Sequence, residues 1–415
     1  MGKLSLSRRG FLGGVGLAGF GAAAGAAAAA AATSEGTPRP SPLGDAVPFY
    51  GRYQAGIATP AQDRLAFAAF DVKTTSRAEL VDLLRTWTAA AAAMTVGAAV
   101  PGDSTSLDAP PADTGEAMDL RPAGLTVTVG FGASLFDSRF GLAGKRPAAL
   151  ADIPHFPGDL IRPEISNGDI GVQACSNDPQ VAFHAIRNLA RLGRGTVALR
   201  WSQLGFGRTS STGEGQATVR NLMGFKDGTR NIRGEERELL DRHVWVGGGT
   251  DQAWMRDGSY AVTRRIRMQI EAWDRDFLAD QQDVIGRYKA SGAPLGGHGE
   301  FDTPDFAATR ADGEPVIPVD AHVRLASHEQ NGDLRLLRRG YSFTDGIDPA
   351  SGQLDAGLFF IAYQQDPRRQ FVPLQRKLAQ SDALNEYITH TSSAVFACPP
   401  GVPGKGDFWG QALFS

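Results

Sequence analysis

Two segments of the chain read alike. IGVQACSNDPQVAFHAIRNLARL, from Ile170 to Leu192, and GLFFIAYQQDPRRQFVPLQRKLA, from Gly357 to Ala379, each run from an apolar strand through a polar Asp-Pro turn into an amphipathic helix. A pattern that recurs in both halves constrains the chain to two related α+β domains, each covering a sheet with helices. The intervening patterns fit. Ser76 to Met94 carries Leu80, Leu83, Leu84 and Trp87 on one helical face, and Leu125 to Gly132 alternates as a strand does. FYGRYQAGI, RLAFAAFDV and VALRWSQLGF supply further strands to the first half. HVWVGG, SYAVTRRIRMQI and LRLLRRGYSF do so for the second, with FLADQQDVIGRY as a short helix. Regular βα alternation is absent. The expected domains are 49–210 and 211–415.

Before them stands a different kind of segment. SRRGFLGG precedes a core built from Ala and Gly, too weakly apolar for a membrane span, and Ala-x-Ala sites end near Ala32. This is the pattern of an export signal over 1–32, followed by a Pro, Ser and Thr-rich leader over 33–48. No later stretch is long and apolar enough to span a bilayer. With Lys+Arg 42 against Asp+Glu 45 the chain has no basic excess to hold nucleic acid. Two cysteines, Cys175 and Cys398, exclude a four-cysteine metal site. They read as buried thiols, with a single bridge between them as the alternative.

The short motifs of metalloproteases, dinucleotide enzymes, phosphate loops and serine hydrolases are missing. Three segments carry what chemistry is visible. In IPVDAHVRLASHEQ, His322 offers an imidazole that is either a haem ligand or a structural histidine. In NLMGFKDGTRNI, Gly224 and Gly228 bracket Asp227 and present its carboxylate from a loop, although Asp-Gly is also an ordinary turn. In LRLLRRGYSF, strand alternation sends Arg338 and Arg339 to opposite faces, so one of them at most enters a shared pocket.

Taken together, GFKDG with TRN following, DAHVRLA and LLRRGYSF closely resemble the dye-decolorizing peroxidases, in particular their exported bacterial branch. The resemblance continues through GLFFIAYQQDPRRQFVPLQRKLA to SAVFACPPG, and Ser-Arg-Arg-x-Phe-Leu, with Arg8 and Arg9, resembles a twin-arginine signal. It implies two ferredoxin-like domains with antiparallel sheets and peripheral helices, holding one haem b per chain mainly in the C-terminal domain. It further implies His322 as iron ligand, Asp227 as acid-base residue, Arg338 as the arginine beside the open iron position, and Gly224 and Gly228 as the glycines of the loop. Glu386, with Asp382 as second choice, is the carboxylate expected behind His322; Arg233, His298 and Arg324 are the expected propionate partners. The implied activity is hydrogen-peroxide-dependent oxidation of dyes, phenols or another organic or protein electron donor through a ferryl intermediate. The alternative is a haem-binding component of iron acquisition that releases haem iron, with iron-uptake partners. Export by the twin-arginine machinery would place the protein in a periplasm or outside the cell.

Overall fold

The computed structural model describes residues 46–213 and 215–415. The signal expected over 1–32 and nearly all of the leader therefore lie outside the described residues. In the first half the chain forms Arg64–Val72 (β1), Arg77–Met94 (α1), Thr126–Gly132 (β2), Ile170–Ser176 (β3), Pro179–Leu192 (α2) and Val197–Arg208 (β4). The Ser76 hydroxyl caps α1 by accepting from the Glu79 amide at 3.3 Å. Asp178 caps α2 by accepting from Gln180 and Val181, with Pro179 at the first helical position, where its missing N–H costs nothing. The strands pair antiparallel in the order β2-β3-β1-β4. Leu80, Leu84 and Trp87 of α1 and Val181, Ala185 and Leu189 of α2 bury against Ala66, Ala68 and Phe70 of β1. Both helices thus lie on one face of the sheet, and the Trp87 indole ties them together by donating to Leu189 O at 2.8 Å.

A connection containing Arg237–His243 (α3) leads to the second half. There Ser259–Met268 (β5) is followed by Ile270–Trp273 (α4), Leu278–Ile285 (α5) and His322–Ala326 (α6). Leu337–Arg338 (β6), Tyr341–Ile347 (β7), Leu354–Gln364 (β8), Phe371–Ser381 (α7) and Ile388–Cys398 (β9) complete it. Here the antiparallel order is β9-β5-β8-β7, with β6 also on β8. The two halves have the same strand arrangement, and β3–α2 and β8–α7, the segments that read alike, hold equivalent places in it. One difference matters for function. Where α1 links β1 to β2 beside α2, the equivalent link beside α7 is the long stretch carrying α4, α5 and α6.

The halves close on each other as a barrel. Phe131 and Gly132 of β2 pair with Ala397 and Phe396 of β9, and Phe206 and Arg208 of β4 pair with Ser342 and Tyr341 of β7. Phe67, Trp201, Phe359 and Phe396 pack inside it together with Tyr341, Tyr363, Cys175 and Cys398. Both cysteines are free and buried, as the thiol reading expects.

Two expected strands do not form. Phe49–Ile57 runs as bends and turns, because Gln54 is used to bridge the β2–β9 seam: its amide donates to Val129 O and Pro399 O, each at 2.9 Å. In HVWVGG, His243 ends α3 instead. LRLLRRGYSF is broken into β6 and β7 around Gly340, where a Cβ would lie 2.8 Å from the Thr209 hydroxyl. No described helix is long and apolar enough to cross a membrane.

Candidate active site

The outer face of the second sheet, beside α7, is not covered by a long helix but borders a cavity of about 270 Å³. Its apolar walls include Ile266 and Met268 of β5, Leu358 and Phe360 of β8, and Leu374 and Leu378 of α7. Four polar side chains expected from the sequence reach it, His322, Asp227, Arg338 and the second-choice carboxylate Asp382, with Gly228 beside them.

His322 opens α6. Its Nδ1 lies 2.6 Å from Asp382 Oδ2, while Asp382 Oδ1 accepts from the Leu384 amide at 2.9 Å. The carboxylate is thus held at both ends, and the imidazole keeps Nε2 for another partner. Burial by itself lowers the imidazole pKa; the adjacent Asp382 charge and hydrogen bond outweigh it, so the net shift is upward. Glu386, the first choice for this role, is exposed at the end of the following turn. Asp382 holds the position because the residue after α7 caps that turn and faces α6.

Asp227 is presented by a turn that only glycine permits at its far side. Gly228 has φ +83°, and a Cβ there would meet Ser210 Cα at 2.8 Å. Gly224, at φ +82°, shapes the same turn without lining the cavity. Asp227 Oδ1 accepts from Arg338 Nη1 at 2.8 Å, leaving Oδ2 with one long contact, Asn221 Nδ2 at 3.4 Å. Arg338 is fixed through its backbone. Its amide donates to Asn231 Oδ1 and its carbonyl accepts from Asn231 Nδ2, both at 2.8 Å. Arg339 points the other way and is fully buried in the barrel, as alternation requires.

The expected propionate partners do not line the cavity. Arg324 is two residues past His322 on a helix, hence on another face, and its guanidinium is taken by the carbonyls of Ile317 and Phe306. His298 is exposed, its amide donating to Asp302. Arg233 donates its amide to Glu236. Besides Arg338, and Lys226 paired with Glu300, the wall carries Arg230, Arg287 and Arg335, with His328 between two of them: Arg230 Nη2 is 2.9 Å from His328 Nε2 and Arg335 Nη2 is 3.2 Å from His328 Nδ1. An imidazole between two guanidinium groups is disfavoured as a cation; burial first, then Arg335, lowers its pKa. Arg287 donates only to carbonyl groups, and burial first, then Arg230, brings it down to about 10. A further wall is made by His390, whose Nδ1 is 3.2 Å from Arg264 Nε, and Arg264 is paired with Asp159 where neither side chain is exposed by more than 1%. Of these, Arg230 had a sequence signal, being the Arg of TRN; His328 and Arg335 lie inside the His322 and Arg338 segments but carry no pattern that marks them, and Arg264, Arg287 and His390 lie on segments with no motif of their own.

The C-terminal Dyp-type peroxidase family model matches residues 218–403, and the N-terminal one matches 54–207. The chain belongs to the Dyp-type peroxidases. It is a member of an enzyme family with peroxidase activity, and its fold agrees. Ferric DtpA from Streptomyces lividans superimposes with a TM-score of 0.83 at 41% identity, covering 91% of this chain and 100% of that one. The Dyp-type peroxidase from Streptomyces coelicolor gives 0.83 at 41%, covering 92% and 100%. Curated relatives carry another name. The deferrochelatase of Escherichia coli (strain K12) is 38% identical over 413 residues, 98% of this chain and 96% of that protein. That of Yersinia pseudotuberculosis serotype I (strain IP32953) is 39% identical over 371 residues, covering 88% and 84%. Relatives of both names thus extend along most of the chain, and the deferrochelatases lend more weight to the iron-acquisition alternative than to dye oxidation.

Proposed function

We propose that this Dyp-type peroxidase takes haem b into the cavity, one per chain, and serves iron acquisition by releasing haem iron. Haem binding is carried by one cavity lined by an imidazole with a free Nε2 and by a carboxylate–guanidinium pair, and iron release is favoured by the deferrochelatases at 38–39% identity. The residues fit the group. His322 would hold iron through Nε2, the apolar walls suit a porphyrin, and Arg230, which also pairs with Glu329, and Arg335, which also pairs with Asp333, line the wall that its carboxylates would face. Bound haem would supply a redox-active iron with an open position for peroxide. Asp227 Oδ2, the oxygen not engaged by Arg338, accepts a proton from peroxide and returns it to the departing oxygen. Arg338 keeps its own proton and stabilises the negative charge that develops as water leaves. Asp382 keeps His322 oriented and electron-rich. Donor oxidation as the physiological task is the second reading, favoured by the solved peroxidases at 41% identity. The segment over 1–32, with Arg8 and Arg9, supports export by the twin-arginine route, which delivers folded protein to a periplasm or to the cell exterior.

One experiment separates the two tasks. The chain is loaded with haem and given peroxide with a phenolic donor or, separately, a reductant; donor product and metal-free porphyrin fluorescence are both followed. Porphyrin release that is lost in His322→Ala supports iron release. Donor turnover with no metal-free porphyrin under any condition overturns it in favour of the second reading.

A further inference from the structure

The barrel interior holds a redox-capable pair that the cavity chemistry does not use. Cys175 on β3 and Tyr341 on β7 are both 0% exposed. Both flank Leu65: Cys175 is its cross-strand partner, and Leu65 and Tyr341 crowd the same glycine, Gly205, whose added Cβ would meet their Cβ atoms at 3.2 and 2.7 Å. The Tyr341 hydroxyl has no oxygen or nitrogen partner. The Cys175 thiol does not satisfy it either, but after burial it is the group that acts on the phenol most strongly, ahead of Arg339.

A charge stands next to the pair. Arg339 is fully buried with no carboxylate to match it among the described residues; it donates to Thr59 O and to Gln62 Oε1, and its Nε is unsatisfied among them. Its electrostatic neighbours are Tyr341, Cys175 and Tyr363. A guanidinium here disfavours any cation radical, so a tyrosine that loses an electron must also shed its phenolic proton. The cavity is one sheet away. Phe359, the cross-strand partner of Tyr341, points into the barrel, while its neighbours Leu358 and Phe360 line the cavity on the opposite face.

We propose that Cys175 and Tyr341 are an internal reductant which, when peroxide is turned over without a donor, becomes joined by a thioether bond. The Cys175 S–H bond and one ring C–H bond of Tyr341 beside the hydroxyl break, and an S–C bond forms. The two electrons released reduce one hydrogen peroxide, and the two protons end in the two water molecules that form. The pair thereby absorbs oxidising equivalents inside the barrel that would otherwise attack the cavity walls. This rests on the haem reading above.

The test is peptide-resolved mass spectrometry of the haem-loaded protein after peroxide, with and without a phenolic donor. The expected product is a linked pair of peptides containing Cys175 and Tyr341, lighter by two hydrogen atoms than their sum, suppressed by the donor and lost in both Cys175→Ser and Tyr341→Phe. Peroxide consumed with no link, or with Cys175 oxidised only to sulfur oxyacids, overturns the proposal. A chain that takes up no haem overturns the functional reading, and the pairing proposal with it. The two variants guard each other, since a folding defect in one leaves the other to be read.

Discussion

Single residues decide how the site titrates and how it is held. Asp382 binds His322 and caps the next turn with its other oxygen, so Asp382→Asn should keep the cap and weaken the imidazole as a donor. Loss of such a supporting partner commonly costs ~10–100-fold in activity; we expect a fall of that order in peroxide turnover, with haem content retained, measured by the Soret band and by donor oxidation. His390 offers a separate test. Burial first, and Arg264 second, brings its pKa from 6.5 down to about 3. As pH falls from 6.5 toward 3 the unfolded chain gains a proton that the folded chain refuses, so stability is lost over that window. Urea denaturation at stepped pH should show His390→Gln losing less stability than the parent between those values. Equal losses would contradict the assignment.

Elements show what the sequence could and could not announce. Gly228→Ala forces a side chain into φ +83° against the Ser210 backbone, a cost of about 1–3 kcal/mol that melting should register, with a matching loss of activity as Asp227 is displaced. Asn231→Ala should leave the fold intact and reduce turnover, because Arg338 then loses both backbone bonds made by Asn231 and is held only by the pairing of β6 with β8; a change confined to melting would assign Asn231 to stability alone. The GFKDG turn, the His322 segment and Arg338 were legible because each is a local pattern. α1 was legible to within a residue, from a four-residue apolar face. The partner of His322 was not. Asp382 and Glu386 lie four residues apart in one turn, and only the packing of that turn against α6 decides which faces the imidazole. Arg233 and Arg324 show the same limit: nearness to a motif does not aim a side chain at the cavity, whereas Arg335, in the same segment as Arg338, and Arg287, on a segment with no motif, do line it. FYGRYQAGI alternates like a strand, yet Gln54 is spent on closing a seam that no local window contains.

At the scale of the molecule, the seams join two similar halves into one barrel, each through two residue pairs. Gln54 reinforces one of them with two buried bonds and accepts a third from the Val129 amide at 2.9 Å. Each buried group left without its partner costs about 1–3 kcal/mol. Gln54→Ala should therefore lower the urea midpoint clearly while leaving the transition single and its slope unchanged. Two resolved transitions would mean that the halves hold together less tightly than the shared interior requires. The repeat in the sequence foretold the matching halves; the closure came from β2–β9 and β4–β7 contacts between distant segments, which no repeat encodes.

The difference between the halves has its own meaning. In the first, an eighteen-residue helix lies beside α2 on the sheet; in the second, the corresponding place beside α7 is the cavity. On the haem reading, a haem seated there would do the packing of a helix, and the second core would be completed by the molecule the protein binds. Folding and haem binding would then be one equilibrium, and the share of protein that resists unfolding would become a measure of the haem within reach.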